Sequence, residues 1–200
     1  MPETDLPSLD VDELDVEERP GGAVDGGRPL TVVGRQLERG DLAPDFELDS
    51  LDDTGFRTVR LSDTKGFVRV LNVINSIDTP VCDVQTKKLD WQLDGARLLT
   101  VSMDLPFAQA RWMRDAGVRS PQASSHRNED FGRAYGVLIK EWRALQRSIF
   151  VIDGAGHIRY AEYVADQGTE PDYNAVVDAV MDAIVTGETA NCSPDGGCCT

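Results

Sequence analysis

Two apolar runs in the middle of the chain place the strongest limit on its fold. Residues 67–74 read FVRVLNVI and residues 96–104 read ARLLTVSMD. Both are rich in aliphatic and β-branched residues, a composition typical of strands that are buried on both faces of a sheet. The stretch between them has a helical face that includes Val81, Leu89 and Leu93. We therefore predict buried strands joined by a helix, in a sheet with helices on both faces.

The flanking segments extend this core in both directions. Residues 23–34 predict a hairpin around a Gly-rich turn, which two short strands follow. After the second apolar run, a helix begins at Pro106, the segments RSIFVID and HIRYAEYV predict a strand hairpin, and residues 171–187 predict an amphipathic helix. This order predicts an α/β thioredoxin-like fold, with a central mixed sheet flanked by helices and an N-terminal β-hairpin.

The two ends of the chain differ from the predicted domain, residues 23–187. Residues 1–22 are acidic and rich in proline, and they predict a disordered N-terminal arm. Residues 188–200 are polar and predict a flexible, cysteine-containing tail. The N-terminus lacks the apolar core of a secretory signal, and no run of about 18 apolar residues exists. These features predict a cytoplasmic protein without a membrane span.

The charge of the chain limits its partners. It has 20 Lys and Arg against 35 Asp and Glu, a formal net charge of -15. Such a balance argues against nucleic acid and anionic membranes as partners. Two explanations of the acidity stay open, ordinary solubility and a cytoplasm rich in salt.

The cysteines are distributed unevenly. Cys82 lies in the body of the chain, whereas Cys192, Cys198 and Cys199 fall within the last nine residues. This is not the disulfide framework of a secreted fold. Cys82 follows the first buried strand, where the predicted helix begins, and Thr79 precedes it by three residues.

The start of a helix is a suitable place for a reactive thiol. Its unpaired N–H groups carry a partial positive charge, which favours a thiolate and can hold an oxygen atom beside it. The hydroxyl of Thr79 is a further donor for the sulfur or for a bound oxygen, and it also suits a helix cap. No second cysteine lies three residues from Cys82, which excludes the Cys-x-x-Cys type of disulfide oxidoreductase. The alternative is an inert core cysteine.

The segment NSIDTPVC, residues 75–82, resembles the active-site motif of the peroxiredoxins. The later segments SMDLPFAQARW, FGRAYGV and RSIFVIDGAGHIRYAEYV are similar, in this order, to those of the thiol peroxidase subfamily. The resemblance covers about residues 23–187. It implies reduction of hydrogen peroxide and organic hydroperoxides, without a metal or organic cofactor, in a homodimer that a thioredoxin-like reductant recycles.

The resemblance also implies roles for individual residues. Cys82 corresponds to the peroxidatic cysteine, Thr79 to the active-site threonine and Arg147 to the arginine that stabilises the thiolate and polarises the peroxide. For Arg147, a surface salt bridge is the alternative. The chain departs from the family at Asn75, where a proline is usual. It also has Thr100 in the strand before SMDLPFAQ, where the resemblance places a resolving cysteine.

Three readings of the tail cysteines stay open. In the first, the cysteines have no function; in the second, they bind a soft metal. In the third, one of Cys192, Cys198 and Cys199 resolves the sulfenic acid on Cys82. Their spacing is not that of a standard metal site, so we assign no metal ligand. Cys198 and Cys199 have the greater reach as resolving residues. The alternative function is a thioredoxin-fold redox-sensing or metal-handling protein that uses these thiols.

Overall fold

The computed structural model describes residues 17–93 and 95–191. In chain order the strands are β1 (Glu18–Asp25), β2 (Arg28–Val33), β3 (Glu47–Asp52), β4 (Gly55–Arg60), β5 (Arg69–Val73), β6 (Arg97–Ser102), β7 (Gln122–Ser124), β8 (Leu138–Ile139), β9 (Ala144–Leu145), β10 (Ser148–Ile152) and β11 (Ile158–Tyr163). The helices are α1 (Pro80–Gln92), α2 (Pro106–Ala116), α3 (Asp130–Ala134) and α4 (Tyr173–Asn191), with a 3-10 helix at Leu61–Thr64. None of these helices is long and apolar enough to cross a membrane.

Seven strands form the main sheet, in the order β11-β10-β5-β6-β7-β3-β4. The central strands β5, β6 and β7 are parallel, and the strands outside them pair antiparallel. Helix α1 connects β5 to β6, as a parallel pair requires a crossover between its strands. The predicted mixed sheet flanked by helices is therefore confirmed.

Strand β5 is buried along its whole length, as its apolar sequence predicts. Val70 packs in a cluster with Leu89 of α1 and Val176 of α4. Leu71, the next residue, packs in the cluster on the other face, with Phe150 and Tyr135. Successive side chains of a strand point to opposite faces, so a strand covered on both faces needs apolar residues at nearly every position.

A second sheet has the strand order β1-β2-β8-β9 and differs in part from the prediction. Its hairpin begins at Glu18 rather than at residue 23, so residues 18–22 belong to β1. The pairing of β1 with β2 shows an irregularity between Arg19 and Ala23, where Gly21 adopts a positive φ of 73°. Strands β8 and β9 were not predicted, because two residues are too short for a hydrophobic period.

Helix α4 continues past its predicted end at Gly187 and runs to Asn191. By contrast, Gly117 ends α2 in the left-handed conformation, with φ 69°. A glycine stops a helix when it adopts this conformation, and otherwise only weakens the helix by about 1 kcal/mol relative to alanine. The first residues of the predicted tail are therefore helical, and residues 192–200, with all three tail cysteines, lie outside the described residues.

Candidate active site

The turn between β5 and α1 positions Cys82. Thr79 has an extended backbone, φ -96° and ψ 137°, and Pro80 is the first residue of the helix. Proline suits this position because its fixed φ is helical and the first N–H groups of a helix have no partner within it. Cys82 is the third residue of α1 and is fully buried. Its sulfur therefore lies in the first turn, where the partial positive charge of the helix is located.

Asp104, in the turn after β6, fixes the backbone in front of α1. Its carboxylate accepts hydrogen bonds from the Ser76 hydroxyl at 2.8 Å and from the Ile77 backbone N–H at 2.9 Å. The Ser102 hydroxyl donates to the same carboxylate at 2.7 Å. Asp104 therefore links the carboxyl ends of two parallel strands, where α/β proteins commonly place their reactive groups.

The surroundings of Cys82 are apolar on one side and polar on the other. Ile74 and Ile77 pack against it in a small cluster that Trp112 of α2 covers in part. On the polar side, the Cys82 thiol donates to Oδ1 of Asn75 over 4.0 Å. The thiol is therefore shielded from bulk solvent and has one weak polar contact among the described residues.

Arg147 lies next to this site and is only 1% exposed. Arg147 precedes β10. Because Ser148 of β10 pairs with Val73, the last residue of β5, Arg147 lies close to the turn between β5 and α1. Its guanidinium donates to Oε1 of Gln85, to the Gln167 carbonyl oxygen at 2.9 Å and to Asn75 Oδ1 at 3.4 Å.

All of these acceptors are neutral, and no ion pair of Arg147 exists within the described part of the chain. Its Nε is buried and has no partner among the described residues. The positive charge of Arg147 also acts on the carboxylate of Glu170, whose pKa lies below its ordinary value. The first cause of that shift is the hydrogen bond from Lys88, and the field of Arg147 is a smaller one. A buried cation without a carboxylate partner attracts an anion that forms beside it.

Thr79 stands at the start of the same helix, but its hydroxyl contacts the turn rather than the sulfur. It donates to the Ser76 carbonyl oxygen at 3.1 Å and makes no side-chain cap of α1. Of the three residues named from the sequence, Cys82 and Arg147 therefore meet at one side chain, Asn75. Thr79 lies one helical turn before Cys82, with its hydroxyl engaged elsewhere.

A chain of buried amides supports this site, and sequence reasoning missed it. Gln85 receives the Arg147 hydrogen bond and donates in turn to Oδ1 of Asn72 at 2.5 Å. Asn72 donates to the hydroxyls of Thr86 and Thr100, each at 3.0 Å. The signals were an asparagine inside the FVRVLNVI run, and a glutamine three residues after Cys82 on the same helix face. Thr100 is fully buried in this network.

A buried thiol at the start of a helix, which shares the partner Asn75 with a buried arginine and has no second cysteine three residues away, is an arrangement suited to thiol-based redox chemistry. A model of the AhpC/TSA family matches residues 39–161, a range that includes Thr79, Cys82 and Arg147. The chain belongs to this family.

Individual relatives agree with the family match. A thiol peroxidase from Halalkalibacterium halodurans is 44% identical over 162 residues, which cover 79% of this chain and 96% of that protein. A thiol peroxidase from Bacillus subtilis is 43% identical over 159 residues, which cover 76% and 92%. The crystal structure of a peroxiredoxin-like protein from Aquifex aeolicus matches with a TM-score of 0.73 at 34% identity, over 80% of this chain and 96% of that chain. The thioredoxin-like fold and the resemblance to thiol peroxidases are thereby confirmed.

Proposed function

We propose that this protein reduces hydrogen peroxide and organic hydroperoxides in a thiol-dependent reaction at Cys82. The observation that carries the proposal is the buried Arg147, which has only neutral partners and shares Asn75 Oδ1 with the Cys82 sulfur. The arginine and the start of α1 both favour a thiolate at this position. Membership of the AhpC/TSA family supports this function over a redox-sensing or metal-handling role for the tail cysteines.

In the proposed reaction, the Cys82 thiolate attacks the terminal oxygen of the hydroperoxide. The S–O bond forms as the O–O bond breaks, so that the sulfur loses two electrons to the peroxide. The products are a sulfenic acid on Cys82 and, after protonation of the leaving oxygen, water or an alcohol. The donors of Arg147 stabilise both the attacking thiolate and the negative charge on the leaving oxygen.

Thr79 is proposed as a second donor in this reaction. Its hydroxyl donates to the Ser76 carbonyl oxygen of the turn, so the proposed role requires a rotation about χ1 that frees the hydroxyl for the peroxide. Thr79→Val removes the hydroxyl and keeps the shape, so we expect the second-order rate with peroxide to fall at least about tenfold. Thr79→Ser, which retains the hydroxyl, is the matched control. Equal rates for Thr79→Val and the unaltered protein would exclude Thr79 from the reaction.

A second thiol must then condense with the sulfenic acid, releasing water and forming a disulfide. Cys192, Cys198 and Cys199 are the candidates within the chain, and an external thiol is the alternative. Because α4 runs to Asn191, Cys198 follows its end by seven residues, which span at most about 23–25 Å when extended. Cys82 is fully buried, so a disulfide with any of them also requires the first turn of α1 to open.

The remaining proposals concern the partners and the location of the protein. A thioredoxin-like dithiol reduces the disulfide by thiol–disulfide exchange and completes the cycle. The protein is a homodimer in the cytoplasm. The dimer is supported by two exposed rings, Phe56 and Phe107, which pack edge to face, and by the exposed Leu105 two residues before Phe107.

The function is tested by Cys82→Ser in the full chain. We expect the variant to fold and to consume no peroxide when a dithiol is supplied, because its hydroxyl does not form the nucleophile. The matched control replaces Cys192, Cys198 and Cys199 with serine, and it should keep the first reaction with one equivalent of peroxide. Peroxide consumption by Cys82→Ser at most of the normal rate would disprove the function.

Peptide mapping after one equivalent of peroxide tests the second thiol separately. A disulfide from Cys82 to a tail cysteine is the expected product. A persistent sulfenic acid on Cys82, with full turnover by the triple serine variant, would instead assign resolution to an external thiol.

A further inference from the structure

An open cavity lies at the opposite end of the main sheet from Cys82. It has a volume of about 560 Å³ and lies among the starts of β5 and β6, the last turn of α1 and the loop before β7. Cys82 is in the first turn of α1, whereas Asp90, which lines the cavity, is in the last. Eight residues of helix separate them by about 12 Å along its axis. The cavity is therefore distinct from the Cys82 site, and its volume is typical of small-molecule sites.

The lining combines apolar side chains with a concentration of positive charge. Its apolar members include Phe46, Leu61, Phe67, Leu71, Leu93 and Leu99. Five arginines also line it, Arg57, Arg60, Arg69, Arg97 and Arg119. They are a quarter of the 20 Lys and Arg in a chain with a formal net charge of -15. Such a lining suits a ligand that has both an apolar body and a negative charge.

The two acids of the lining, Asp63 and Asp90, are engaged by backbone groups. The Asp63 carboxylate accepts a hydrogen bond from the Arg60 N–H at 2.8 Å, and the Asp90 carboxylate accepts one from the Ser120 N–H at 2.7 Å. Five arginines against two acids leave the lining with an excess of positive charge. An anion in the cavity therefore meets more opposite than like charge.

Two of the five arginines have no ion pair within the described part of the chain. Arg57, Arg60 and Arg119 lie 3.0, 2.7 and 3.8 Å from carboxylate oxygens, whereas no such contact exists there for Arg69 or Arg97. The guanidinium of Arg97 lies 4.6 Å from the centre of the Phe67 ring. A guanidinium that stacks on a ring keeps the N–H donors at its edge available for an anion.

The wall of the cavity also contains buried polar atoms without a partner among the described residues. These are Nε of Arg69 and the hydroxyl of Ser120, in side chains of residues that are only 4% and 8% exposed. The charge of Arg69 acts on the cavity through a wall of low dielectric constant, which strengthens its field. Burial lowers the pKa of Arg69, and an anion in the cavity would oppose that shift.

We propose that this cavity is a second binding site, for a small organic anion with an apolar body, such as an aryl or alkyl carboxylate or sulfonate. Arg97 binds the anionic group, the field of Arg69 adds to the attraction, and the apolar lining takes up the body of the ligand. No reaction takes place at this site. The inference therefore does not rest on the proposed function of Cys82.

The test is isothermal titration calorimetry of the full chain with two probes that share an apolar body. Anilinonaphthalene sulfonate carries the negative charge, and phenylnaphthylamine is its uncharged counterpart. We expect the sulfonate to bind at one site per chain, at least about tenfold more tightly than the neutral probe, because hydrogen bonds to charged groups are the stronger ones. Equal affinities for the two probes, or no binding of the sulfonate, would overturn the proposal.

Three variants establish where the sulfonate binds. Arg97→Gln removes a charge from an exposed side chain, so the variant should fold, and we expect it to bind the sulfonate roughly tenfold more weakly. Arg28→Gln is the matched control, because it removes one exposed positive charge outside the cavity, and it should bind normally. Phe107→Ala alters an exposed ring that also lies outside the cavity, and it too should bind normally.

Two results with these variants would contradict the proposed site. Equal losses of affinity in Arg97→Gln and Arg28→Gln would mean that the sulfonate responds only to the net charge of the protein. Binding that is lost in Phe107→Ala and kept in Arg97→Gln would place the sulfonate on the exposed rings. Neither titration contains peroxide, so the result does not depend on whether Cys82 reduces it.

Discussion

The described residues include two buried arginines, which lie at opposite ends of the paired strands β5 and β10. Arg69 begins β5, and it donates to the carbonyl oxygens of Thr64 and Asp153. Burial lowers the pKa of Arg69, and the charge of Asp153 opposes part of that shift. Arg147 precedes β10 at the other end of the sheet, where its acceptors include two side-chain amides and where it has no carboxylate partner in the described structure.

The two arginines share their residue type, their degree of burial and a buried Nε without a partner among the described residues. They differ in what surrounds them. The acceptors of Arg69 are backbone oxygens, with an acidic side chain near enough to offset its charge. The acid whose field reaches Arg147 is the exposed Glu170, which offsets little of a buried charge. The donors of Arg147 reach side chains that also contact Cys82 or follow it on α1. Burial alone therefore does not distinguish the two arginines, and it is the partners of Arg147 that support its proposed role.

The largest expected effect comes from removing each guanidinium in turn. Arg147→Met keeps much of the stem and removes the donors, so we expect the second-order rate with peroxide to fall roughly 100-fold. Arg69→Met is the matched control, because it removes an equally buried guanidinium from the far end of the sheet. Both variants leave buried acceptors unpaired and should lose about 1–3 kcal/mol in the free energy of unfolding.

Single-turnover kinetics and denaturant unfolding measure the two effects separately. The comparison fails if Arg69→Met slows the reaction as much as Arg147→Met does. The loss of rate would then result from the lower stability of each variant and not from the location of Arg147 near Cys82.

The fold around these arginines was largely predictable, because it depends on local patterns. The apolar runs predicted β5 and β6, and the proline and glycine signals predicted the start of α1 and both ends of α2. The short strands β7, β8 and β9 were not predictable in this way. They form because the tertiary fold places neighbouring strands beside them. Two or three residues are too few to show the alternation of apolar and polar residues that indicates a strand.

The site was predictable only in part. Cys82, Thr79 and Arg147 were named from a motif, whereas the contacts between them depend on distant pairings. Gln167 meets Asn75 across 92 positions of sequence, and the register of β10 on β5 decides which residue faces the turn. A motif identifies residue types at a spacing, but it does not predict that Asn75 joins the sulfur to the arginine.

An intermediate effect is expected when Arg147 is made to resemble Arg69 by a nearby acid. Gln85→Glu replaces the amide that accepts from Arg147 with a carboxylate, and it leaves Arg147 itself unaltered. An opposite charge in contact shifts ionisation equilibria by about one unit or more, so the loss of free positive charge should slow the peroxide reaction roughly tenfold. Gln85→Met removes the acceptor without adding charge. We expect it to lower the free energy of unfolding with little loss in the second-order rate with peroxide.

The pair of Gln85 variants separates the charge of the site from its packing. The measurement is the second-order rate with peroxide at constant ionic strength, together with the free energy of unfolding. Equal rate losses in Gln85→Glu and Gln85→Met would mean that packing, and not the free charge of Arg147, limits the reaction.

The smallest effect is expected at Glu170, an exposed acid on which the charge of Arg147 acts. Its carboxylate accepts hydrogen bonds from Lys88 at 2.7 Å and from the Tyr173 hydroxyl at 2.6 Å, and these contacts, with the weaker field of Arg147, lower its pKa. A lowered pKa in the folded state stabilises the protein at neutral pH, and this contribution is lost as pH falls through the folded pKa. For an exposed pair it is at most about 1 kcal/mol.

Glu170→Gln should therefore lower the free energy of unfolding slightly at pH 7, and the difference should shrink in acid, where the native carboxyl is also neutral. Urea unfolding at several pH values measures this trend. The peroxide rate should rise less than about threefold, because an exposed acid offsets little of a buried charge. A rise as large as the loss in Gln85→Glu would mean that Glu170 already compensates Arg147. In that case the contrast with Arg69 would disappear, since both buried arginines would then have an acid that offsets their charge.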